Sequence, residues 1–288
     1  MREPSLVAFT LLSQCAVGAS WALWIVRIWT EGREGSLAAG AWTGPAFTAA
    51  AAAMALGLAA SFLHLGRKGN AWRAVTNARR SWLSREVLSA VLFLGALVAG
   101  AALPPSVDAL GGAGRGRLLP AATLALGLLL LASMSMAYRL RTAPAWDSPW
   151  SQAAFVLPAL VLGCLGAASS LQMGRDVSEE ARGTALGMLA MAALGGVFLQ
   201  TMALSLWLRG LVNGPREAKE AAMRMISGER AWLAARMLLL GAAAVACAVA
   251  VLWDAAAGPA VLAAFAMAAL SEVIGRTLFY EIHLGGGL

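Results

Sequence analysis

Histidine and tyrosine are rare in this chain, and they occur near the ends of long apolar stretches. The chain has two histidines, His64 and His283, and two tyrosines, Tyr138 and Tyr280. His64 closes one apolar stretch, and Glu86 lies just inside the next, across a basic loop. Ionisable groups are costly inside a bilayer, so a histidine and a carboxylate near the ends of adjacent apolar segments predict a functional site.

An imidazole and a carboxyl at the same depth can bind a polar ligand and transfer a proton. Histidine can donate a hydrogen bond or titrate near neutral pH. Oxidation of a quinol releases protons together with electrons, so it requires a base close to the point where the electrons leave. We predict that Glu86 is this base and that His64 hydrogen-bonds a quinone oxygen. A purely structural His64 is the alternative.

The composition indicates an all-α integral membrane protein. Hydrophobic residues make up 60% of the chain and charged residues 13%. Hydrocarbon about 30 Å thick requires roughly 20 apolar residues per helix, and unbroken apolarity favours helices over barrel strands. We predict one domain over residues 1–288, a bundle of eight transmembrane helices with both termini on one side. The predicted spans are approximately 5–29, 43–66, 83–103, 118–140, 151–173, 183–208, 231–252 and 258–282.

Positive charge is concentrated on one side of this predicted bundle. The termini and the loops 67–82, 139–150 and 209–230 share that side, which we call the basic face. Counting residues just inside the helix ends, the basic face carries 16 of the 22 lysines and arginines. The positive-inside rule therefore predicts cytoplasmic termini. The net charge of +7 is explained by orientation or by docking of a partner, and a nucleic-acid partner is not expected.

Several further groups are predicted to lie near His64 and Glu86. Chain connectivity places them at the same membrane level, where they could complete a quinone-binding site. They are Gly66, Arg85, Tyr138, Arg236 and Arg276, and Tyr280 is expected at this level as well. Glu272 lies deeper and is spaced i,i+4 from Arg276, which predicts a buried ion pair on one helix face.

The loops of the basic face are predicted to dock a partner protein. Arginine and tryptophan are good interface anchors, although an aromatic belt with a topology signal would have the same composition. The loop 209–230 is long enough for a short surface helix of mixed charge. The candidate docking residues are Arg67, Lys68, Trp72, Arg73, Arg79, Arg80, Trp82 and Trp146.

Three other functions are considered from the same residues. His64 and His283 could ligate a single b-type haem, but both would sit at helix ends rather than inside the bundle. A transporter would place ionisable groups near the midplane, where only Glu272 lies. A purely structural anchor would bind no quinone. The three cysteines lie singly in apolar runs, so no iron–sulfur or other metal site is expected on this chain.

Several motifs resemble the DmsC family, the membrane anchor subunits of dimethyl sulfoxide reductase-like molybdenum oxidoreductases. They are HLG at 64–66, AWRA at 71–74, SWLSREV at 81–87, the Pro144-Ala145-Trp146 segment and SEVIGRTLFYEIH at 271–283. The resemblance runs nearly end to end. It is strongest around residues 62–87 and 271–283.

The resemblance implies a bacterial cytoplasmic-membrane anchor without haem or metal of its own. Such an anchor binds menaquinone or ubiquinone and docks a DmsB-like subunit with four [4Fe–4S] clusters. That subunit exchanges electrons with a DmsA-like catalytic subunit carrying a molybdenum bis-pterin cofactor. The quinol-site histidine and glutamate of the family fall on His64 and Glu86. Relatives that reduce dimethyl sulfoxide and relatives that oxidise sulfite or phenylacetyl-CoA share the arrangement, so the substrate stays open.

Overall fold

The described parts of the chain are helical and contain no strand. The computed structural model describes residues 4–64, 77–102, 118–139, 146–174 and 177–284. Nine α-helices occur in these ranges: α1 Pro4–Glu34, α2 Ser36–His64, α3 Trp82–Ala102, α4 Leu118–Ala137, α5 Pro149–Leu171, α6 Glu179–Val212, α7 Arg216–Met223, α8 Arg230–Leu252 and α9 Ala257–Leu284.

Eight of these helices are long and apolar enough to cross a membrane, which confirms the predicted number of spans. Even the shortest, α4, has 20 residues, and at 1.5 Å per residue it covers the hydrocarbon thickness. Large apolar side chains point outward from the bundle, for example Phe198 at 68% and Leu238 at 75% exposure. This arrangement suits a lipid environment, and the chain is a multi-pass membrane protein.

The connection between α1 and α2 is much shorter than predicted. The sequence suggested a loop over residues 30–42, whereas the structure interrupts the helix only at Gly35. Gly35 has φ of 88°, a left-handed conformation that glycine adopts without steric cost. Its N–H still donates to the carbonyl of Glu31 at 3.2 Å. One residue is therefore enough to change the chain direction.

Helix α1 is the centre of the packing, and it crosses α5 at two glycines. A Cβ on Gly18 would lie 1.7 Å from the carbonyl oxygen of Ala159, and one on Gly163 would lie 2.3 Å from the Gly18 backbone. Lipid offers no hydrophobic drive for helix association, so close backbone contact at small residues supplies the packing energy. The small residues of α1 and α5 thus let the two backbones approach closely.

The predicted surface helix of mixed charge is α7, between α6 and α8. It buries Ala218, Ala221 and Ala222 and leaves its charged side chains in solvent. Arg216 Nε donates to Glu220 at 2.8 Å, and this hydrogen bond raises the pKa of the exposed Arg216 guanidinium. A π-helical turn, Arg224–Gly228, follows and connects α7 to α8.

Candidate functional site

An aromatic cluster joins the C-terminal ends of α4, α6 and α9 to the N-terminal part of α5. Its members are Tyr138, Trp146, Phe155, Trp207, Phe279 and Tyr280. The Tyr138 ring centroid lies 5.4 Å from Phe155 and 5.5 Å from both Trp146 and Tyr280. These distances are typical of stacked and edge-to-face aromatic pairs. The two tyrosines, expected at one level of the bundle, are thus in direct contact.

Trp146 is part of this cluster rather than of an exposed surface. Its indole stacks on Phe279 at 5.4 Å, and Nε1 donates to the Phe279 carbonyl at 3.0 Å. Only 7% of the residue is exposed. Its buried indole fastens the segment before α5 to α9, and the prediction that Trp146 docks a partner stays a prediction.

Glu86 is buried on α3, in the first turns of that helix. Its exposure is 4%, and its charge acts on the Tyr138 hydroxyl. The carboxyl therefore lies within electrostatic range of the aromatic cluster, across the α3–α4 contact. His64 ends α2, but its side chain and Gly66 lie outside the described residues. The predicted meeting of His64 with Glu86 stays a prediction.

Arg276 connects the aromatic cluster to the centre of the bundle. Its Nη2 donates to Gln14 Oε1 on α1 at 3.1 Å and to the Ala154 carbonyl on α5 at 2.9 Å. Its Cζ lies 4.1 Å from the centre of the Phe155 ring, a cation–π distance. One buried guanidinium thus contacts α1 and α5 from its position on α9.

The predicted ion pair between Glu272 and Arg276 is not formed in the described part of the chain. Glu272 accepts a hydrogen bond from Gln200 Nε2 on α6 instead, and Arg276 turns toward α1 and α5. Both residues are buried, as expected. The i,i+4 spacing allows such a pair, but the neighbouring helices offer each side chain a different partner.

Arg236 occupies a cavity that is lined by neither Glu86 nor Tyr138. The cavity lies between α5, α6, α8 and α9, and it also contains Gln200, Glu272 and Arg276. A Cβ on residue 275 would lie 2.5 Å from Arg236 Cζ. The guanidinium of Arg236 therefore fits because residue 275 is a glycine. We call this the arginine cavity.

Arg85, in the first turn of α3, contacts the turn that precedes this helix. Arg85 donates to the carbonyls of Ala78 and Arg79 at 2.8 and 3.0 Å, and its guanidinium stacks over Trp82 at 4.2 Å. Arg79, Arg80 and Trp82 lie at the surface of the described chain. Arg85 therefore stabilises the turn that presents these side chains. The candidates Arg67, Lys68, Trp72 and Arg73 lie outside the described residues.

Sequence reasoning missed two glutamines that hydrogen-bond the buried charged residues of α9. Gln14 on α1 is fully buried, and Gln200 on α6 is 4% exposed. Each is a polar side chain inside a predicted span, which is a signal for a functional or packing role. Only the tertiary structure identifies their partners as Arg276 and Glu272.

Comparison with known proteins matches a family over nearly the whole chain. A family model described as DMSO reductase anchor subunit (DmsC) matches residues 1–282. The chain is 28% identical over 202 residues to the anaerobic dimethyl sulfoxide reductase chain YnfH of Escherichia coli (strain K12), covering 68% of this chain and 67% of that one. A shorter alignment of 32 residues is 66% identical to a subunit of the sulfite dehydrogenase of Allochromatium vinosum, covering 11% and 10% of the two chains.

Proposed function

The chain belongs to the DmsC family, and from this premise we propose that it exchanges electrons between a membrane quinone and a docked iron–sulfur subunit. The family is the membrane anchor of a molybdoenzyme complex, and it implies a catalytic and an iron–sulfur partner. The four [4Fe–4S] clusters and the molybdenum bis-pterin cofactor belong to those partners. The quinone, menaquinone or ubiquinone, is the ligand of this chain.

The observation that carries the proposal is the buried carboxyl of Glu86, whose charge acts on Tyr138. A carboxyl at 4% exposure in a membrane span is costly unless it has a task or a partner. Its α3 position, one helix after His64 and just inside the basic loop, suits proton transfer close to the aqueous face. Glu86 accepts the quinol proton, His64 hydrogen-bonds a quinone oxygen, and Gly66 belongs to the same proposed quinone site.

The remaining members of the predicted site have supporting roles in this proposal. Tyr138 lies within electrostatic range of Glu86, and Arg276 contacts the aromatic cluster through Phe155. Arg85 orders the turn before α3. Arg236 faces the separate arginine cavity and contributes only indirectly.

We propose that the basic face docks the iron–sulfur subunit on the cytoplasmic side of a bacterial inner membrane. The surface residues Arg79, Arg80 and Trp82 support this, together with the positive loop that precedes them. The relatives bear the names of a dimethyl sulfoxide reductase and a sulfite dehydrogenase, which imply opposite directions of electron flow. The direction and the substrate are set by the catalytic subunit.

Replacement of the proposed base tests the quinone reaction directly. Glu86→Gln keeps the size and hydrogen bonding of the side chain and removes its proton acceptor, so quinol-coupled turnover falls by at least about a hundredfold. Steady-state assays of the purified complex with a water-soluble quinol measure this. Assembly, followed by co-purification of the partner subunits, stays unchanged.

Glu281→Gln is the matched control, because Glu281 is half-buried on α9 and lies outside the proposed site. It retains normal turnover. Quinol kinetics that are equal in Glu86→Gln and the natural protein would remove Glu86 from the mechanism. An absorption spectrum of the same preparation tests the haem alternative, since a bound b-type haem would show its Soret band.

A further inference from the structure

The arginine cavity combines buried positive charge with unused hydrogen-bonding atoms. It is lined by Arg236, Arg276, Glu272 and Gln200, all at least nine-tenths buried. Arg236 Nε, Arg276 Nη1 and Gln200 Oε1 have no hydrogen-bond partner among the described residues. A buried polar group without a partner costs free energy, so these atoms indicate a ligand or solvent.

The charges in the cavity do not cancel. The lining contains two guanidinium groups, a kind of group that proteins do not deprotonate, and a single carboxyl group, that of Glu272. The charges of Glu272 and Arg276 both act on Arg236, so the three groups form one electrostatic unit. The Glu272 carboxylate already accepts from Gln200 Nε2. One excess positive charge therefore remains in a membrane-embedded site, where it favours an anion.

We propose that the arginine cavity binds a phosphate oxyanion, supplied by an anionic phospholipid headgroup or by free phosphate. Guanidinium groups match phosphate oxygens in geometry and charge, and basic pockets between transmembrane helices bind anionic headgroups. Arg236 Nε and Arg276 Nη1 donate to the phosphate oxygens, and a water beside the anion donates to Gln200 Oε1.

The shape of the cavity supports a small anionic group. The cavity has a volume of about 40 Å³, which admits small polar groups. Trp150 and Trp207 line it near the ends of α5 and α6, where tryptophan is typical of the membrane interface. Met225, from the π-helical turn after α7, also contributes to the lining. A headgroup at the interface can thus reach the two arginines.

Two variants test the site in different ways. Arg236→Gln removes one cation, while Gly275→Ala leaves Arg236 in the chain but places a methyl group where its guanidinium lies. Both reduce phosphate affinity by about tenfold or more, because each removes a charge-assisted hydrogen bond. Gly241→Ala on α8 and Arg216→Gln on α7 are the controls, since a Cβ at position 241 meets open space and Arg216 is exposed.

The measurement uses the full-length chain in detergent, with the subunits that co-purify. In the first experiment, the binding of radiolabelled inorganic phosphate is measured after delipidation. In the second, the protein is exchanged into nanodiscs of phosphatidylglycerol or phosphatidylcholine, and native mass spectrometry then identifies the lipid that stays bound. Saturable binding of free phosphate identifies a soluble ligand, whereas retention of phosphatidylglycerol alone identifies a headgroup. Equal binding by Arg236→Gln and the natural protein, or no binding of either ligand, overturns the proposal. Circular dichroism of Gly275→Ala confirms that the comparison is made between folded chains.

Discussion

At the scale of single residues, Arg276 combines hydrogen bonds with cation–π contacts. It hydrogen-bonds Gln14 and Ala154 and lies over the rings of Phe155 and Phe279. Its guanidinium thereby joins α1, α5 and α9, and it borders both the aromatic cluster and the arginine cavity. A membrane-buried cation with several partners stabilises one specific arrangement of helices.

Arg276→Gln tests this structural role. The shorter neutral side chain loses two hydrogen bonds and a cation–π contact, so we expect the free energy of unfolding to fall by about 2–3 kcal/mol. Thermal unfolding of the purified chain in detergent measures the loss. Arg216→Gln on the surface of α7 is the comparison and leaves the midpoint unchanged. An unaltered midpoint in Arg276→Gln would show that these contacts contribute no net stability.

At the scale of helices, the contact of α1 with α5 depends on the absence of side chains at two positions. The backbone of α5 occupies the space that a Cβ of residue 18 would need. Backbone atoms cannot move aside as the end of a flexible side chain can. The two helices must therefore separate if either glycine gains a methyl group.

Gly18→Ala is expected to weaken this crossing strongly. A Cβ 1.7 Å from the Ala159 carbonyl oxygen forces α1 away from α5, at a cost of more than about 2 kcal/mol. Gly187→Ala on α6 provides the contrast, because a Cβ there meets open space and alanine favours helix formation. Denaturation in a mixed-micelle titration compares the two variants. Equal stabilities would mean that the helices readjust without loss.

At the scale of the whole molecule, the predicted topology places most of the positive charge on one side of the eight spans. The 16 lysines and arginines assigned to the basic face outnumber the 6 on the other side. By the positive-inside rule this bias predicts cytoplasmic termini, and we propose that the same charges attract an acidic partner surface. Orientation and docking are thus proposed to use the same residues.

The orientation is testable with reporters at the C-terminus. A fusion to green fluorescent protein is expected to fluoresce, because this reporter folds in the cytoplasm. A fusion to alkaline phosphatase is expected to be inactive, because its disulfides do not form there. Reporters fused within the segment 103–117, on the predicted opposite side, give the reverse pattern. An active phosphatase at the C-terminus would contradict the cytoplasmic assignment. The basic face would then lie on the opposite side of the membrane.

The amino-acid sequence alone determined the membrane class and the eight spans, and it singled out Glu86 as the candidate base. These features are local: about 20 consecutive apolar residues form a helix in lipid because each backbone group must be satisfied within its own segment. The family motifs were also visible in the linear sequence. They led to the same anchor family that the comparison over residues 1–282 shows.

Only the tertiary structure decided which polar groups meet. Gln14 and Arg276 are 262 positions apart, and Gln200 and Glu272 are 72 apart, yet each pair forms a hydrogen bond. Apolar residues face lipid as well as the bundle interior, so the pattern within a span does not determine how the helix is rotated. Packing at glycines such as Gly18 and Gly275 sets that rotation. The predicted Glu272–Arg276 pair was wrong for this reason, since neighbouring helices supplied other partners.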